Sequence, residues 1–314
     1  MKNLKYYQSI CRLFPPILSQ SIRNFLFPIT KARNLKLDFS KKSITGSVFH
    51  GNTLDDHSYR FAIHGFFDWR NIIIANRCIK ESLGDIVEVG ANVGTETISY
   101  CDLVASKAKV HAFEPLPDNI IALTELSEQL NNLIVYPKAI SNKVATVHFQ
   151  LPPIHESGIG KIIKNEPVQD GTDSLMVETL PLDFYIEDFK NVCLISVDTE
   201  GHEPLVLEGA YNVISRFRPA VIIEVSPKLL RKYSNSKPQD ILQYFIELDY
   251  SCFIIGRATL RGVDKFCLDT KKAQNWLCIP SEKADISKKI NNDLFIRAFV
   301  PWYFLKSIIT STKN

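Results

Sequence analysis

From residue 85 onward, short β-branched runs alternate with stretches of helical spacing, and that alternation sets the first expectation for the fold. Ile86–Val89, Lys109–Phe113, Leu133–Tyr136, Val192–Val197, Ala220–Val225, Ser251–Ile255 and Trp276–Ile279 have the length and composition of buried strands. Between most of them lie segments long enough for crossover helices: Glu96–Val104, Asp118–Leu130, Pro204–Ile214 and Pro238–Leu248. Strands alternating with helices predict a mainly parallel sheet covered on both faces. Val144–Leu151 alternates apolar and polar residues and predicts an extra strand. Pro152 to Asp173, rich in Pro, Gly, Ser and charge, predicts a loop or hairpin near the functional site. The first eighty residues read as a helical and irregular lead-in, where Asp68 to Leu83 predicts a helix stopped by Gly84. The expected division is an N-terminal extension over 1–83, a domain over 84–282 with an insert at about 152–178, and a helical C-terminal extension over 283–314.

Composition narrows the class of function without naming one. The 314 residues carry a net charge of only +3, which gives no reason to expect a nucleic acid partner. Seven scattered cysteines form no CxxC pair and several sit in apolar runs, so buried reduced thiols are expected, not a disulfide frame or a zinc site. The first thirty residues lack an uninterrupted apolar stretch followed by a small-residue cleavage site, and no run is long enough to span a bilayer. A cytoplasmic protein is therefore expected. Tyr6 to Phe27 and Leu294 to Ile309, both aromatic-rich and interrupted by basic residues, are candidates for peripheral membrane contact or for packing on the domain or on a second subunit.

Chemistry concentrates first in Asp85-Ile-Val-Glu-Val-Gly-Ala-Asn-Val-Gly-Thr95. A strand ends at Val89, a helix begins near Thr95, and the turn between them carries Gly90 and Gly94, where a ligand can approach backbone at a helix start. Asn92 and Thr95 stand where a dinucleotide fingerprint needs its second and third glycines, and no Gly-Lys-Ser/Thr of a P-loop is present. Glu88 instead precedes the glycines. A carboxylate there repels phosphate and suits a cationic ligand with an amino group, as S-adenosylmethionine is. Twenty residues after Gly94, Glu114 ends the second strand in Ala-Phe-Glu-Pro, the spacing of an acid that accepts hydrogen bonds from ribose hydroxyls.

Four blocks give the chain a resemblance to the FkbM family of S-adenosylmethionine-dependent methyltransferases: Val87-Glu-Val-Gly-Ala-Asn-Val-Gly94, Ala112-Phe-Glu-Pro115, Leu194-Ile-Ser-Val-Asp-Thr-Glu-Gly-His-Glu203 and Val221-Ile-Ile-Glu-Val225. Thr179-Leu-Pro-Leu-Asp183 is a looser likeness to the family's Thr-Leu-Asp. The resemblance covers about residues 85–280. It implies a Rossmann-like class I methyltransferase fold: a seven-stranded, mainly parallel α/β sheet with an antiparallel last strand, Trp276–Ile279, and helices on both faces. It also implies S-adenosylmethionine as cofactor, bound by Glu88, Gly90, Ala91, Asn92, Gly94, Glu114 and Pro115, and methyl transfer to a hydroxyl of a saccharide, glycan or small natural product.

The acceptor is expected beside Asp198, Glu200, His202 and Glu203, which follow the fourth strand, and Glu224, which closes the fifth. Methyl transfer to oxygen needs the hydroxyl held in line and relieved of its proton. Asp198 or His202 is the expected base, Glu200 and Glu224 orient the acceptor, and Glu203 reads as a helix-start charge. No metal is assigned, although a carboxylate cluster can hold a hard cation such as Mg²⁺. His64 and Asp68-Trp69 are candidates for a lid. The competing functions are a non-catalytic scaffold, a nicotinamide-dependent oxidoreductase and a membrane-peripheral enzyme acting on a lipid-linked glycan.

Overall fold

The computed structural model describes residues 2–152, 156–163, 174–264, 268 and 270–301. Parts of the 152–178 insert, Cys267 and the aromatic stretch beyond Pro301 therefore lie outside the described residues. The chain opens with three helices, Lys2–Arg12, Pro16–Leu26 and Ile29–Leu35. A two-stranded hairpin follows, β1 (Asp38–Lys42) with β2 (Val48–Asn52), and then the helices Asp56–His64 and Trp69–Glu81. The main sheet begins with β3 (Asp85–Val89), β4 (Val110–Phe113) and β5 (Leu133–Tyr136). The chain then leaves it to build a second sheet from β6 (Ala139–Ile140), β7 (Ala145–Gln150), β8 (Lys161–Ile163) and β9 (Ser174–Leu180), in the order β6-β9-β7-β8. It returns with β10 (Val192–Val197), β11 (Ala220–Val225), β12 (Tyr250–Ile255), β13 (Leu260–Gly262) and β14 (Gln274–Pro280).

The main sheet runs β13-β12-β14-β11-β10-β3-β4-β5. The fold is thus α/β with a large mixed sheet, and the expected seven strands become eight. Leu260–Gly262 adds an edge strand because it folds back on β12 as a hairpin. Such an edge strand needs no buried apolar run, so its pattern is silent in the sequence. The last strand is antiparallel to β11 and also to β12, while β5, β4, β3, β10 and β11 pair in parallel.

Period-two alternation divides the strands between two cores. Ile86, Leu194, Ile222 and Leu277 face one, with the helices Trp69–Glu81, Thr97–Val104 and Asp285–Ala298. Val87, Ile195, Val221 and Trp276 face the other, with the helices Glu203–Glu208, Tyr211–Phe217 and Pro238–Glu247. Every residue of β3 and β10 is buried, which is why both read as unbroken apolar runs around Glu88 and Ser196. The helix expected over Pro204–Ile214 is split at Gly209, where a side chain would meet the Ser141 carbonyl at 2.0 Å. Asp183 closes the loose Thr-Leu-Pro-Leu-Asp likeness with a structural role: its carboxylate accepts the backbone N–H groups of Asn212 and Val213 at the start of Tyr211–Phe217.

Candidate active site

Two open-sided cavities flank the loop that follows β3 and share Val89, Gly90, Asn92 and Asp198. The carboxyl ends of β3, β4 and β10 frame them, as an open α/β sheet provides. The loop gets its shape from left-handed backbone at Gly90 (φ 87°), Asn92 (φ 51°) and Gly94 (φ 83°). Asn tolerates that region better than other residues with a side chain, which explains Asn92 where a second glycine would stand in a dinucleotide fold. Gly90 is glycine because a Cβ there would sit 1.9 Å from the Asp198 carbonyl oxygen. At Gly94 a Cβ would crowd the Leu123 and Leu126 side chains at 3.0 Å, so this glycine serves helix packing and lines neither cavity.

The first cavity, about 520 Å³, has apolar walls from Phe113, Leu116, Ile140, Phe149 and Ile162. Glu114 and Pro115 line it as well. Glu114 is buried, and its two carboxylate oxygens accept the backbone N–H groups of Asn92 at 2.8 Å and Leu116 at 3.0 Å. Burial pushes its pKa up to about 7 against those hydrogen bonds. Residues Ser157, Gly158 and Gly160 of the insert form part of the wall. Ser157 is tied by its backbone N–H and hydroxyl to Asp55.

The second cavity, about 550 Å³, is acidic. Asp68, Glu88, Glu96, Asp198 and Glu224 line it, and no Lys or Arg is among its described lining residues. Glu88 accepts the Thr97 hydroxyl at 2.6 Å. Burial first, then repulsion from Glu96, holds its carboxyl well above the usual range. Glu96 accepts both Asn71 Nδ2, at 2.9 and 3.2 Å, and the Tyr100 hydroxyl at 3.0 Å, and burial raises its pKa to about 7. Ala91 lines this cavity too. Asn92 lines both cavities, and its side-chain nitrogen is buried without a hydrogen-bond partner among the described residues.

Asp198, Glu200 and Glu224 come together at the acidic end, each offering one carboxylate oxygen within 4.8 Å of the others. Water reaches Asp198 through the cleft, yet protein closes round it. Desolvation and then Glu224 and Glu200 hold its carboxyl well above the usual range, while desolvation and then Glu200 and Glu203 push Glu224 up to about 7. Three such oxygens can share protons or hold a hard cation. The loop that carries them is fixed by Glu203, a buried residue that does more than charge a helix start. Its Oε1 accepts the N–H groups of Thr199 and Gly201 and the Thr199 hydroxyl, all at 3.0–3.1 Å. Glu200 at φ 54° and Gly201 at φ 102° make the turn, and Gly201 leaves room for the Leu229 carbonyl.

His202 lies apart from this cluster: it lines the apolar cavity and its Nε2 pairs with the Ser141 hydroxyl at 2.9 Å. Of the lid candidates, Asp68 reaches the acidic cavity as the N-cap of Trp69–Glu81, whereas His64 is buried against Ser19. Glu96 and Asn71 escaped sequence reading because an acid or amide at a helix start is ordinary there. The available signal was a lone acid two residues beyond the glycine loop.

The chain matches the model of the methyltransferase FkbM domain over residues 88–252, more than half of its length. It is 27% identical over 183 residues to the hexuronic acid methyltransferase AglP of Haloferax volcanii, an alignment covering 54% of this chain and 69% of that protein. Among solved structures it is similar to a methyltransferase FkbM from Methylobacillus flagellatus, at 15% identity and a TM-score of 0.42, over 88% of this chain and 59% of that one. It is also similar to SMU.1697c of Streptococcus mutans in complex with SAH, at 12% identity and a TM-score of 0.38, over 66% of this chain and 96% of that one. With the family model spanning both the glycine loop and the Asp198 loop, the chain is a methyltransferase of the FkbM family.

Proposed function

We propose that the protein transfers a methyl group from S-adenosylmethionine to a hydroxyl of a saccharide acceptor, with Asp198 receiving the hydroxyl proton. The observation that carries this reading is the acidity of the second cavity: five acidic side chains line it, of which only Asp68 is paired with an arginine, and no lysine or arginine is among its described lining residues. Such a cavity disfavours phosphates and attracts a ligand bearing ammonium and sulfonium charges. The apolar cavity next to it suits an adenine ring, and Glu114 has lone pairs left for ribose hydroxyls. Gly90, Ala91, Asn92, Glu88 and Pro115 complete the residues that would hold the cofactor, while Gly94 shapes the loop from behind. When bound, the cofactor supplies an electrophilic methyl group.

Asp198 is the assigned base because it lines both cavities, whereas His202 Nε2 is engaged by Ser141. Desolvation, with Glu224 and Glu200 nearby, raises its affinity for a proton, which makes the ionised carboxylate a stronger acceptor. Glu224 and Glu200, beside it, orient the acceptor hydroxyl. A saccharide is favoured because the relative AglP acts on hexuronic acid. Calorimetry with S-adenosylhomocysteine, followed by methyl transfer to hexuronic acid glycans, tests the reading. Expected are binding by wild type, its loss in Glu114→Ala, and binding without turnover in Asp198→Asn. Absence of binding by wild type would overturn it. Full turnover after exhaustive chelation would leave the carboxylates as proton acceptors and remove a metal from the site.

One observation favours a second, compatible reading, in which the acceptor is lipid-linked. Residues 1–37 contain seven Lys or Arg and no Asp or Glu, while Tyr6, Leu13, Leu18 and Phe25 are exposed, Phe25 to 85%. Basic helices with bare apolar side chains suit an anionic membrane surface. No helix among the described residues is long and apolar enough to cross a membrane. Sedimentation with anionic but not zwitterionic vesicles, weakened in Phe25→Ser, is expected. Equal recovery with both vesicle types would remove this reading.

A further inference from the structure

A third cavity, of about 690 Å³, lies between the helix Pro16–Leu26 and the start of Trp69–Glu81. Its charge is opposite to that of the acidic cleft: Arg23, Arg70 and Arg257 line it, and no acid is among its described lining residues. Gln20, Ser21 and Asn24 supply further polar groups. Arg70 is neutralised by Asp68, whose oxygens accept its Nε at 2.9 and 3.1 Å. The other two arginines are not. Arg23 is 7% exposed, its Nε and Nη2 donate to Asn24 Oδ1, and its guanidinium stands over the Tyr59 ring. Among the described residues no carboxylate lies within ion-pairing distance of Arg23 or Arg257.

A guanidinium cannot shed its proton to escape burial, so an unneutralised one is costly unless an anion completes it. Arg23 alone is buried and Arg257 is exposed, so the cavity offers an oxyanion one buried and one solvent-facing guanidinium among neutral donors. Burial lowers the pKa of Arg23, and Tyr59 and Asp56 only partly oppose that shift.

We propose that this cavity seats an anionic group, a carboxylate or phosphate borne by the saccharide acceptor. The inference rests on the saccharide reading above and deepens it. Asp68 and Asn71 line the acidic cleft while Trp69 and Arg70, between them in sequence, line the basic cavity. The two sites therefore flank one helical turn, on the order of 10 Å apart, the width of a helix. An acceptor carrying its own negative charge is disfavoured by the acidic side chains Glu88, Glu96, Asp198 and Glu224 around the transfer site. A basic foothold at that distance offsets the repulsion and fixes which hydroxyl reaches Asp198.

Calorimetry on the full chain with glucuronate, glucose 1-phosphate and glucose tests this, each with and without S-adenosylhomocysteine. One or both anionic sugars are expected to bind and glucose is not, the tighter of the two identifying the group. Arg257→Gln and Ser21→Asp, both at exposed positions that fold without difficulty, should weaken that binding about tenfold or more while S-adenosylhomocysteine affinity is kept. Equal affinity for glucose, or anion affinity unchanged in both variants, would overturn the proposal. The two readings fail separately. S-adenosylhomocysteine binding without anion binding removes this site alone, and failure to bind S-adenosylhomocysteine removes the methyl-transfer reading first.

Discussion

Glu203 shows how one buried carboxylate can organise a site it does not enter. With three donors on Oε1 it holds the backbone of Thr199 and Gly201, and with it the direction of Asp198 and Glu200. Its Oε2 is buried without a hydrogen-bond partner among the described residues, so the residue commits its burial to this loop. Glu203→Ala leaves buried N–H groups unpaired, and a loss of about 1–3 kcal/mol in denaturant unfolding is expected. Turnover should fall further than cofactor affinity, because the loop bears the proton acceptor and not the ribose contact. An equal fall in both would mean that Glu203 supports the whole cleft. The same residue marks a limit of the sequence: it reads as a charge at a helix start, and only its burial shows which backbone it serves. Asn92 was legible as a cofactor-loop residue, but its left-handed backbone and its N–H to Glu114 come from the folded turn.

The element that joins both halves of the cleft is the contact between the loops after β3 and β10. Asp198 N–H donates to the Val89 carbonyl at 3.0 Å, and the Asp198 carbonyl fills the space a Gly90 side chain would take. Gly90→Ala meets both a left-handed backbone and a backbone oxygen that cannot step aside. A destabilisation of about 3 kcal/mol or more is expected, with loss of S-adenosylhomocysteine binding in any folded fraction. A thermal midpoint close to wild type would disprove the clamp. Sequence pattern located the seven long strands well because β-branched, fully buried runs have no other use. It overlooked β1 and β2, where Asp38–Lys42 is polar on its outer face, and β9, whose Met176 and Glu178 point outward beside a Gly- and Asp-rich stretch. Of the second sheet only β7 was legible, from the alternation of Val144–Leu151, although residues of that sheet wall the apolar cavity.

Across the whole molecule the acidic cleft sets a dependence on pH. Burial pushes Glu96 and Glu224 up to about 7, and holds Glu88 well above the usual carboxylate range. A carboxyl raised on folding binds its proton more tightly in the native state. It therefore contributes stability at pH below the ordinary carboxylate range, and that contribution is lost as pH rises through about 7. The ligand-free protein is expected to lose thermal stability between about pH 5 and about pH 8, and Glu96→Gln to lose less. Identical profiles for the two would count against this account. A cationic ligand acts in the opposite sense, since it favours the ionised acids, so its affinity should rise over the same range.

The first core runs through Phe27, Phe61, Ile74, Ile86, Leu194, Ile290 and Leu294 without a break. Arg77 and Asp293 clasp the two flanking helices at 2.6 Å. A fragment limited to residues 84–282 cuts through that core, and it is expected to be unfolded by circular dichroism and proteolysis. For amide exchange the consequence is a shared clock. Hydrogens in Asp56–His64 and Asp285–Ala298 should be released as slowly as those of the central strands, through opening of the entire core and not by fraying of either end.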